Sequence, residues 1–192
     1  MSVGAVIVPS VTDIDLAVSA SSPTAEEEAR FWALLEQAWA QLGPEPAAAR
    51  RALLDRNPDS DPDDELYAIH TWLAPFLDVL GGLAAELPAP ELVALDRVAE
   101  RKLYDIDRAD IHEFTDGSDD GFLYARGFIV AVGREFYEAV RADPAMALLD
   151  ASCEEFCYFF AHLHDKRFGD WPNTGSGISR ESVSNAAGWP AE

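Results

Sequence analysis

Lysine is nearly missing from this chain, and cysteine is scarce. The 192 residues contain two lysines against twelve arginines, and two cysteines, Cys153 and Cys157. So few cysteines exclude a disulfide-rich secreted scaffold. Both are expected to be core residues, because a free cysteine behaves as a small hydrophobe. The preference for arginine over lysine is typical of a GC-rich bacterial genome.

Long hydrophobic runs are also missing. No stretch reaches the roughly 20 apolar residues of a membrane helix, and Val3 to Val8 is too short for the core of a signal sequence. We therefore expect a cytoplasmic protein. Residues 1–23 are small, β-branched and serine-rich, which predicts a disordered arm, with one edge strand as the alternative.

Basic residues are few. Thirty-five Asp and Glu against fourteen Lys and Arg give a formal net charge of −21. Such a field repels nucleic acid and anionic membranes, so neither is an expected partner. A basic protein remains electrostatically favourable. Keeping the protein dissolved is a simpler explanation of the same charge, and it needs no partner.

The hydrophobic pattern repeats at the helical period in almost every segment, which predicts an all-α class. We predict a single globular domain of six or seven helices over residues 24–165. A Gly- and Ser-rich tail, residues 166–192, is expected to dock on it. The helices that supply the core are expected to begin near residues 24, 61, 91, 119 and 144.

Local signals refine these helices. Thr24 to Glu27 matches a capping box, and Pro75 must kink or split the helix that begins near residue 61. Residues 105–117 form a connector whose expected anchors are Ile106, Ile111 and Phe114. The last long helix, starting at Asp143-Pro144, is expected to bury Leu149, Phe156, Phe159, Phe160 and Leu163.

Two glycines, Gly127 and Gly133, interrupt the helical pattern that follows residue 119. Each costs about 1 kcal/mol relative to alanine within a helix. Their presence predicts that another backbone or a ring packs closely there.

The densest combination of charge, glycine and aromatic residues is the acidic turn Asp116–Gly121 and the helical pattern behind it. Ser118 or Asp119 can cap that helix, and Asp119 and Asp120 are stabilised by its dipole. This structural role alone explains the acids. The turn lacks the ligand spacing of a calcium loop, so no metal is expected.

Other chemical motifs are missing. Cys153, Cys157 and His164 have spacings that fit one helix face, but they lack a fourth zinc ligand. No nucleophile elbow and no Gly-rich phosphate loop occurs. We therefore predict no catalytic residue and no cofactor, and the sequence favours a non-enzymatic protein.

A ligand site is still conceivable where the acidic turn could meet arginines. The candidate ligand-binding residues are Asp116, Ser118, Asp119, Asp120, Arg126, Arg134 and Arg180. In this hypothesis Arg180 pairs with Asp116 or Asp120. The structural alternative for the tail is a capped single-turn helix from Ser179 to about Asn185, docked through Ile178 and Trp189.

Two separated motifs resemble one known family. Phe31-Trp32 follows a glutamate-rich helix start, and Asp119-Asp120-Gly121-Phe122 precedes Arg126 and the phrase Gly133-Arg134-Glu135-Phe136. Together they are similar to the bacterial domain-of-unknown-function family number 4240, over roughly residues 26–160. The resemblance implies a helical domain and supplies no catalytic residue. The irregular stretch 104–113 departs from the plain helix usual there in that family.

Two functions remain open on the sequence alone. The first is a non-enzymatic acidic binding or interaction protein, in its sharpest form an inhibitor or immunity-type protein, for a basic partner. The second is a small-molecule binding protein or enzyme with a polar site made of the acidic turn and the three arginines named above.

Overall fold

The computed structural model describes residues 21–60, 66–115 and 117–190. Over these ranges it contains nine α-helices and no strand, and seven of the helices are nine residues or longer. The helices are α1 (Ala25–Ala40), α2 (Pro44–Asp55), α3 (Leu73–Ala84), α4 (Ala89–Asp105), α5 (Ala109–His112), α6 (Asp119–Val132), α7 (Arg134–Ala142), α8 (Glu154–Cys157) and α9 (Phe159–Phe168). The all-α prediction is confirmed.

Three predictions fall partly or wholly outside the described ranges. Residues 1–20 of the expected arm, the helix start near residue 61, and Asp116 are not among the described residues.

Helix α1 begins as the sequence predicts. Thr24 Oγ1 accepts from the amide of Glu27 at 3.1 Å, and the Glu27 carboxylate accepts from the amide of Thr24 at 2.8 Å. This reciprocal pair satisfies two amides that a helix start would otherwise leave unbonded. The apolar stripe behind it is buried and comprises Phe31, Trp32, Leu34, Leu35, Ala38 and Trp39.

The hydrophobic core is centred on α1 and the helices that pack against it. Helix α1 packs on α3 and α4, α4 packs on α9, and α6 packs on α7 and α8. Trp39 stacks on Phe76 with ring centroids 4.4 Å apart, and its indole donates to the carbonyl of Ala131 at 2.8 Å. Phe31 contacts Phe156 and Phe160 from the last helices. Aromatic packing therefore joins the first and last thirds of the domain.

Pro75 splits its helical pattern as expected. A 3₁₀-helix, Leu66–Trp72, runs directly into α3, which places Pro75 in the first turn of α3, where proline is tolerated. Taken together, Leu66–Ala84 is long and apolar enough, by length and composition alone, to span a membrane. Core helices can pass the same test, and Ile69, Phe76 and Leu80 are fully buried here.

The helix after residue 119 is two helices rather than one. Gly133 ends α6 and precedes α7 with φ of 120°, a left-handed conformation that favours glycine. The expectation that Gly133 lies within a helix is therefore wrong. Its position at a sharp junction is the physical reason for glycine at this site.

The prediction of a long helix that begins at residue 144 is also wrong. Pro144–Met146 forms one 3₁₀ turn, and the chain is then non-helical until α8. The amide of Cys153 donates to the carbonyl of Tyr124 on α6 at 3.0 Å. That bond joins the segment to α6 instead of extending a helix, and Leu149 is consequently 51% exposed. Phe156 and Phe160 are buried as predicted, whereas Phe159 and Leu163 are half-buried.

The connector between α4 and α6 is anchored by fewer residues than predicted. Ile106 and Ile111 are fully buried, but Phe114 is 42% exposed. The four-residue helix α5 within this stretch agrees with the irregular pattern read from the sequence.

Replacing Gly127 with alanine is expected to lower the free energy of unfolding by about 1–3 kcal/mol, the usual range for overpacking. An added Cβ would lie 2.5 Å from the carbonyl oxygen of Cys153 and 2.6 Å from Cys157 Sγ. The close approach predicted from the sequence is thus confirmed. Urea denaturation measures the loss.

Gly82→Ala is the matched control, because the same Cβ in α3 would meet nothing within 4 Å. It is expected to stabilise the protein by about 0.5–1 kcal/mol. Equal effects of the two substitutions would contradict the proposed close packing of α6 on α8.

Candidate functional site

Arg126, one of the predicted ligand-binding arginines, is completely buried. Its guanidinium donates to the carbonyl of Leu103 at 2.9 Å, to the carbonyl of Arg180 at 3.0 Å and to Ser182 Oγ at 3.0 Å. It also lies over the ring of Phe122, 4.8 Å from the centroid. These bonds connect α6 to the end of α4 and to the tail.

Arg180 is buried beside Arg126. Its guanidinium makes a two-pronged ion pair with Asp96, at 3.1 and 3.0 Å, and contacts Glu100 at 3.5 Å. It also donates to the carbonyl of Cys157 at 2.7 Å. Burial raises the pKa of Asp96, and the adjacent Arg180 acts in the opposite direction.

The predicted pairing of Arg180 with Asp120 is wrong, because Arg180 pairs with Asp96 and Glu100 of α4. The reason is that Arg180 contacts α4 directly, at Asp96. Asp120, in contrast, lies exposed in the first turn of α6. The predicted alternative, Asp116, lies outside the described residues.

A third buried acid, Asp107, accepts hydrogen bonds from the tail. Its carboxylate accepts from the amides of Val183 (3.0 Å) and Asn185 (2.8 Å) and from the indole of Trp189 (3.0 Å). Because Asp107 binds these amides, residues 179–185 do not form the single-turn helix predicted there. The tail instead has a 3₁₀ turn at Ala186–Gly188, and Trp189 does dock on the domain as expected.

Sequence reasoning missed these buried acids. Asp96 and Glu100 follow Leu92 by four and eight residues, so they lie on the apolar face of α4, and both are buried. A pair of acids on a buried helical face was the available signal. Such acids require a buried donor, and the tail supplies it.

The acidic turn performs its predicted structural role. Ser118 Oγ accepts from the amide of Gly121 at 3.0 Å and caps α6. Asp119 and Asp120 are exposed in the first turn of the helix. The backbone carbonyl of Asp119 accepts from Ser182 Oγ at 2.6 Å, which attaches the tail to the turn.

Asp120 also borders a cleft of about 760 Å³, which we name the acidic cleft. Four carboxylates surround it, from Asp120, Glu154, Glu155 and Glu181, with His162 and Lys166 as basic groups. The remaining lining is the backbone of Gly81 and the apolar or aromatic side chains of Leu123, Tyr124, Tyr158, Phe159 and Leu163. All four carboxylates are exposed.

Four parts of the chain build the acidic cleft. Helix α3 supplies Gly81, α6 supplies Asp120 and Tyr124, the α8–α9 region supplies Glu154 and Tyr158, and the tail supplies Glu181. The phenol of Tyr158 donates to the Glu181 carboxylate. Burial, followed by this hydrogen bond, raises the pKa of Tyr158, so the phenol stays neutral. The cleft thus combines negative charge with aromatic surface, which suits a cation.

Both cysteines are buried, free thiols. Burial raises the pKa of Cys153 and of Cys157 to about 12, which keeps both thiols protonated and unreactive. Among the described residues, no group of three or more His, Cys, Asp or Glu is arranged to hold a metal ion.

Arg134 is separate from the other predicted site residues. It is exposed at the start of α7 and lines a different cavity, together with Arg50 and Arg51 of α2. The structure therefore brings Arg126, Arg180 and the acidic turn close together through the tail, and places Arg134 elsewhere.

Comparison with known proteins gives one family. A family model described as "Protein of unknown function (DUF4240)" matches residues 27–164. No curated protein and no solved structure matches the chain significantly. The matched region covers more than half of the chain and includes both motifs on which the resemblance was based. The chain therefore belongs to the DUF4240 family.

Proposed function

We propose that this chain is a non-enzymatic, cytoplasmic acidic binding protein whose acidic cleft receives a basic side chain of a protein partner. The observation that carries the proposal is that four carboxylates, against the two basic groups of His162 and Lys166, line the cleft together with aromatic and aliphatic side chains. An inhibitor or immunity-type protein is the most specific form of this function.

The physical basis has two parts. A net charge of −21 steers a basic partner toward the chain and raises its association rate. Within the cleft, the rings of Tyr124 and Tyr158 offer surfaces on which a guanidinium or ammonium group is favourable. The chain uses the same chemistry internally, since the guanidinium of Arg180 lies 4.7 Å from the ring centroid of Tyr158 and pairs with Asp96.

The alternative, a small-molecule or catalytic site, has less support. It requires arginines that face a shared, accessible pocket. Arg126 and Arg180 are buried and donate to internal acceptors, and Arg134 lines a different cavity. Neither Cys153 nor Cys157 is an activated nucleophile, since burial raises the pKa of both thiols.

Neutralising the acidic cleft is expected to weaken binding of a basic peptide about ten-fold, equivalent to about 1.4 kcal/mol. The variant carries Asp120→Asn, Glu154→Gln and Glu155→Gln, and leaves the Glu181 bond to Tyr158 intact. The probe is a capped peptide with two arginines, titrated by calorimetry at low ionic strength. Binding should also weaken as salt is added, because exposed charges are screened.

The matched control removes three exposed carboxylates elsewhere: Glu45→Gln, Asp55→Asn and Glu113→Gln. Both variants lose the same net charge, so a general field affects them equally. The control is expected to change affinity less than about two-fold. If both variants weaken binding to the same degree, the cleft has no special role and the proposal fails.

A further inference from the structure

Nearly every arginine of this chain has an internal partner. Of the twelve, all of which the structure describes, only Arg51 and Arg134 make no hydrogen bond or ion pair to the described residues. On a chain with 35 acidic residues this is unexpected, because carboxylates are abundant. Two unpaired arginines therefore require an explanation.

Both unpaired arginines line the same cavity. It has a volume of about 440 Å³ and lies between α2 and α7, away from the acidic cleft; we name it the arginine cavity. Its lining residues are Glu36, Ala47, Arg50, Arg51, Leu54, Val132, Arg134, Glu135 and Phe136. Three arginines against two glutamates, Glu36 and Glu135, leave the lining with one positive charge in excess, which favours a small anion.

The third arginine of the cavity has a fixed structural role. Arg50 Nε donates to the carbonyl of Val132 at 2.7 Å, and its two terminal nitrogens bind the Glu36 carboxylate at 2.9 and 2.6 Å. This pair joins α1 and α2 to the junction of α6 with α7. Glu36 therefore neutralises Arg50, and Arg51 and Arg134 stay available.

The start of α7 adds to the positive potential. Its N-cap residue is Gly133, which makes no side-chain capping hydrogen bond. The partial positive charge of a helix N-terminus favours an anion nearby. Glu135 is the opposing group, because its exposed carboxylate lines the same cavity.

We propose that the arginine cavity binds a phosphate group, held by the guanidinium groups of Arg51 and Arg134. The planar fork of arginine matches the geometry of phosphate oxygens and forms charge-assisted hydrogen bonds with them. The phosphate comes either as the free ion or as the monoester of a small organic molecule, and both present the same oxygens. This site is independent of the acidic cleft and of its basic partner.

The test is a titration of the full chain with two probes, inorganic phosphate and phenyl phosphate, followed by NMR at the amides of residues 134–136. Saturable shifts are expected. Arg51→Gln and Arg134→Gln should each weaken binding about ten-fold, and Glu135→Gln should strengthen it, because it removes a repelling carboxylate. Tighter binding of phenyl phosphate assigns an organic phosphate, and equal binding assigns the free ion.

Arg30→Gln is the control with the same charge change. Arg30 is exposed, pairs with Glu91 and lies outside this cavity, so it should change phosphate affinity less than about two-fold. Neither Arg51 nor Arg134 has a hydrogen-bond or ion-pair partner among the described residues, so the thermal midpoint of each variant should stay near that of the parent. The proposal is overturned if neither probe saturates, or if Arg30→Gln weakens binding as much as the cavity variants.

Discussion

Replacing Asp107 with asparagine is expected to lower the free energy of unfolding by about 3–5 kcal/mol, because each buried donor left without an acceptor costs about 1–3 kcal/mol and more than one is left here. Asp107 is completely buried and serves two backbone amides, a serine hydroxyl and the Trp189 indole, all of them donors. An asparagine amide keeps one acceptor oxygen and places an NH₂ group where an acceptor is needed. Some of these donors are then left buried without a partner.

Urea denaturation measures the loss, and hydrogen exchange locates it. The amides of Val183 and Asn185 should lose protection first, because they bind Asp107 directly. Asp110→Asn is the control: its carboxylate is exposed and pairs with Arg108 at the surface, so the loss should stay below about 1 kcal/mol. A loss of that small size for Asp107→Asn would show that the tail does not depend on this carboxylate.

Replacing Arg180 with methionine is the second large effect, also about 3–5 kcal/mol. Methionine preserves most of the volume but removes the only cation paired with Asp96 among the described residues. Asp96 and Glu100 then remain buried without a counter-charge, although Thr174 and Ser176 still donate to Glu100 at 2.8 and 2.5 Å. The cost arises from the uncompensated charge, not from lost packing.

The pH dependence separates these two causes. Without Arg180, the pKa of Asp96 rises further, because burial, the largest cause, and the charge of Glu100 both raise it and the largest opposing influence is gone. Protonation then removes the buried charge, so the stability deficit of Arg180→Met should shrink as the pH falls from 7 toward about 5. Adding Asp96→Asn should recover part of the loss at pH 7. A deficit that is independent of pH, or a double variant less stable than the single one, would contradict the charge explanation.

Much of the helical framework was predictable from residue periodicity and local caps. The capping box at Thr24, the stripe from Phe31 to Trp39 and the Ser118 cap all depend on residues within a few positions of one another. Such local signals are encoded directly in the sequence. The break at Gly133 and the loss of the helix after Pro144 were not predictable, because they depend on contacts with distant segments, such as the bond from Cys153 to Tyr124.

The candidate site shows the same division. The sequence singled out Arg126 and Arg180, and both do lie in one polar cluster with the start of α6. It did not identify Asp96 as the partner of Arg180 or Asp107 as the acceptor for the Val183 amide, since those pairings span 84 and 76 positions. Arg134 and Arg126 both occur in the same aromatic-rich helical pattern of the sequence. In the structure, however, Arg134 is exposed and Arg126 is buried. Spacing along a helix predicts which residues share one face of that helix. Which residues contact that face depends on the tertiary structure of the whole domain.

The same sequence separation has a consequence for the order of folding. During synthesis α4 leaves the ribosome well before residues 174–189, which donate to its buried acids and to Asp107. Until those residues emerge, Asp96, Glu100 and Asp107 keep their hydration, because burying them unpaired is unfavourable. We therefore expect the surfaces of α4 and α9 to close fully only after the tail arrives, which would make tail docking a late folding event.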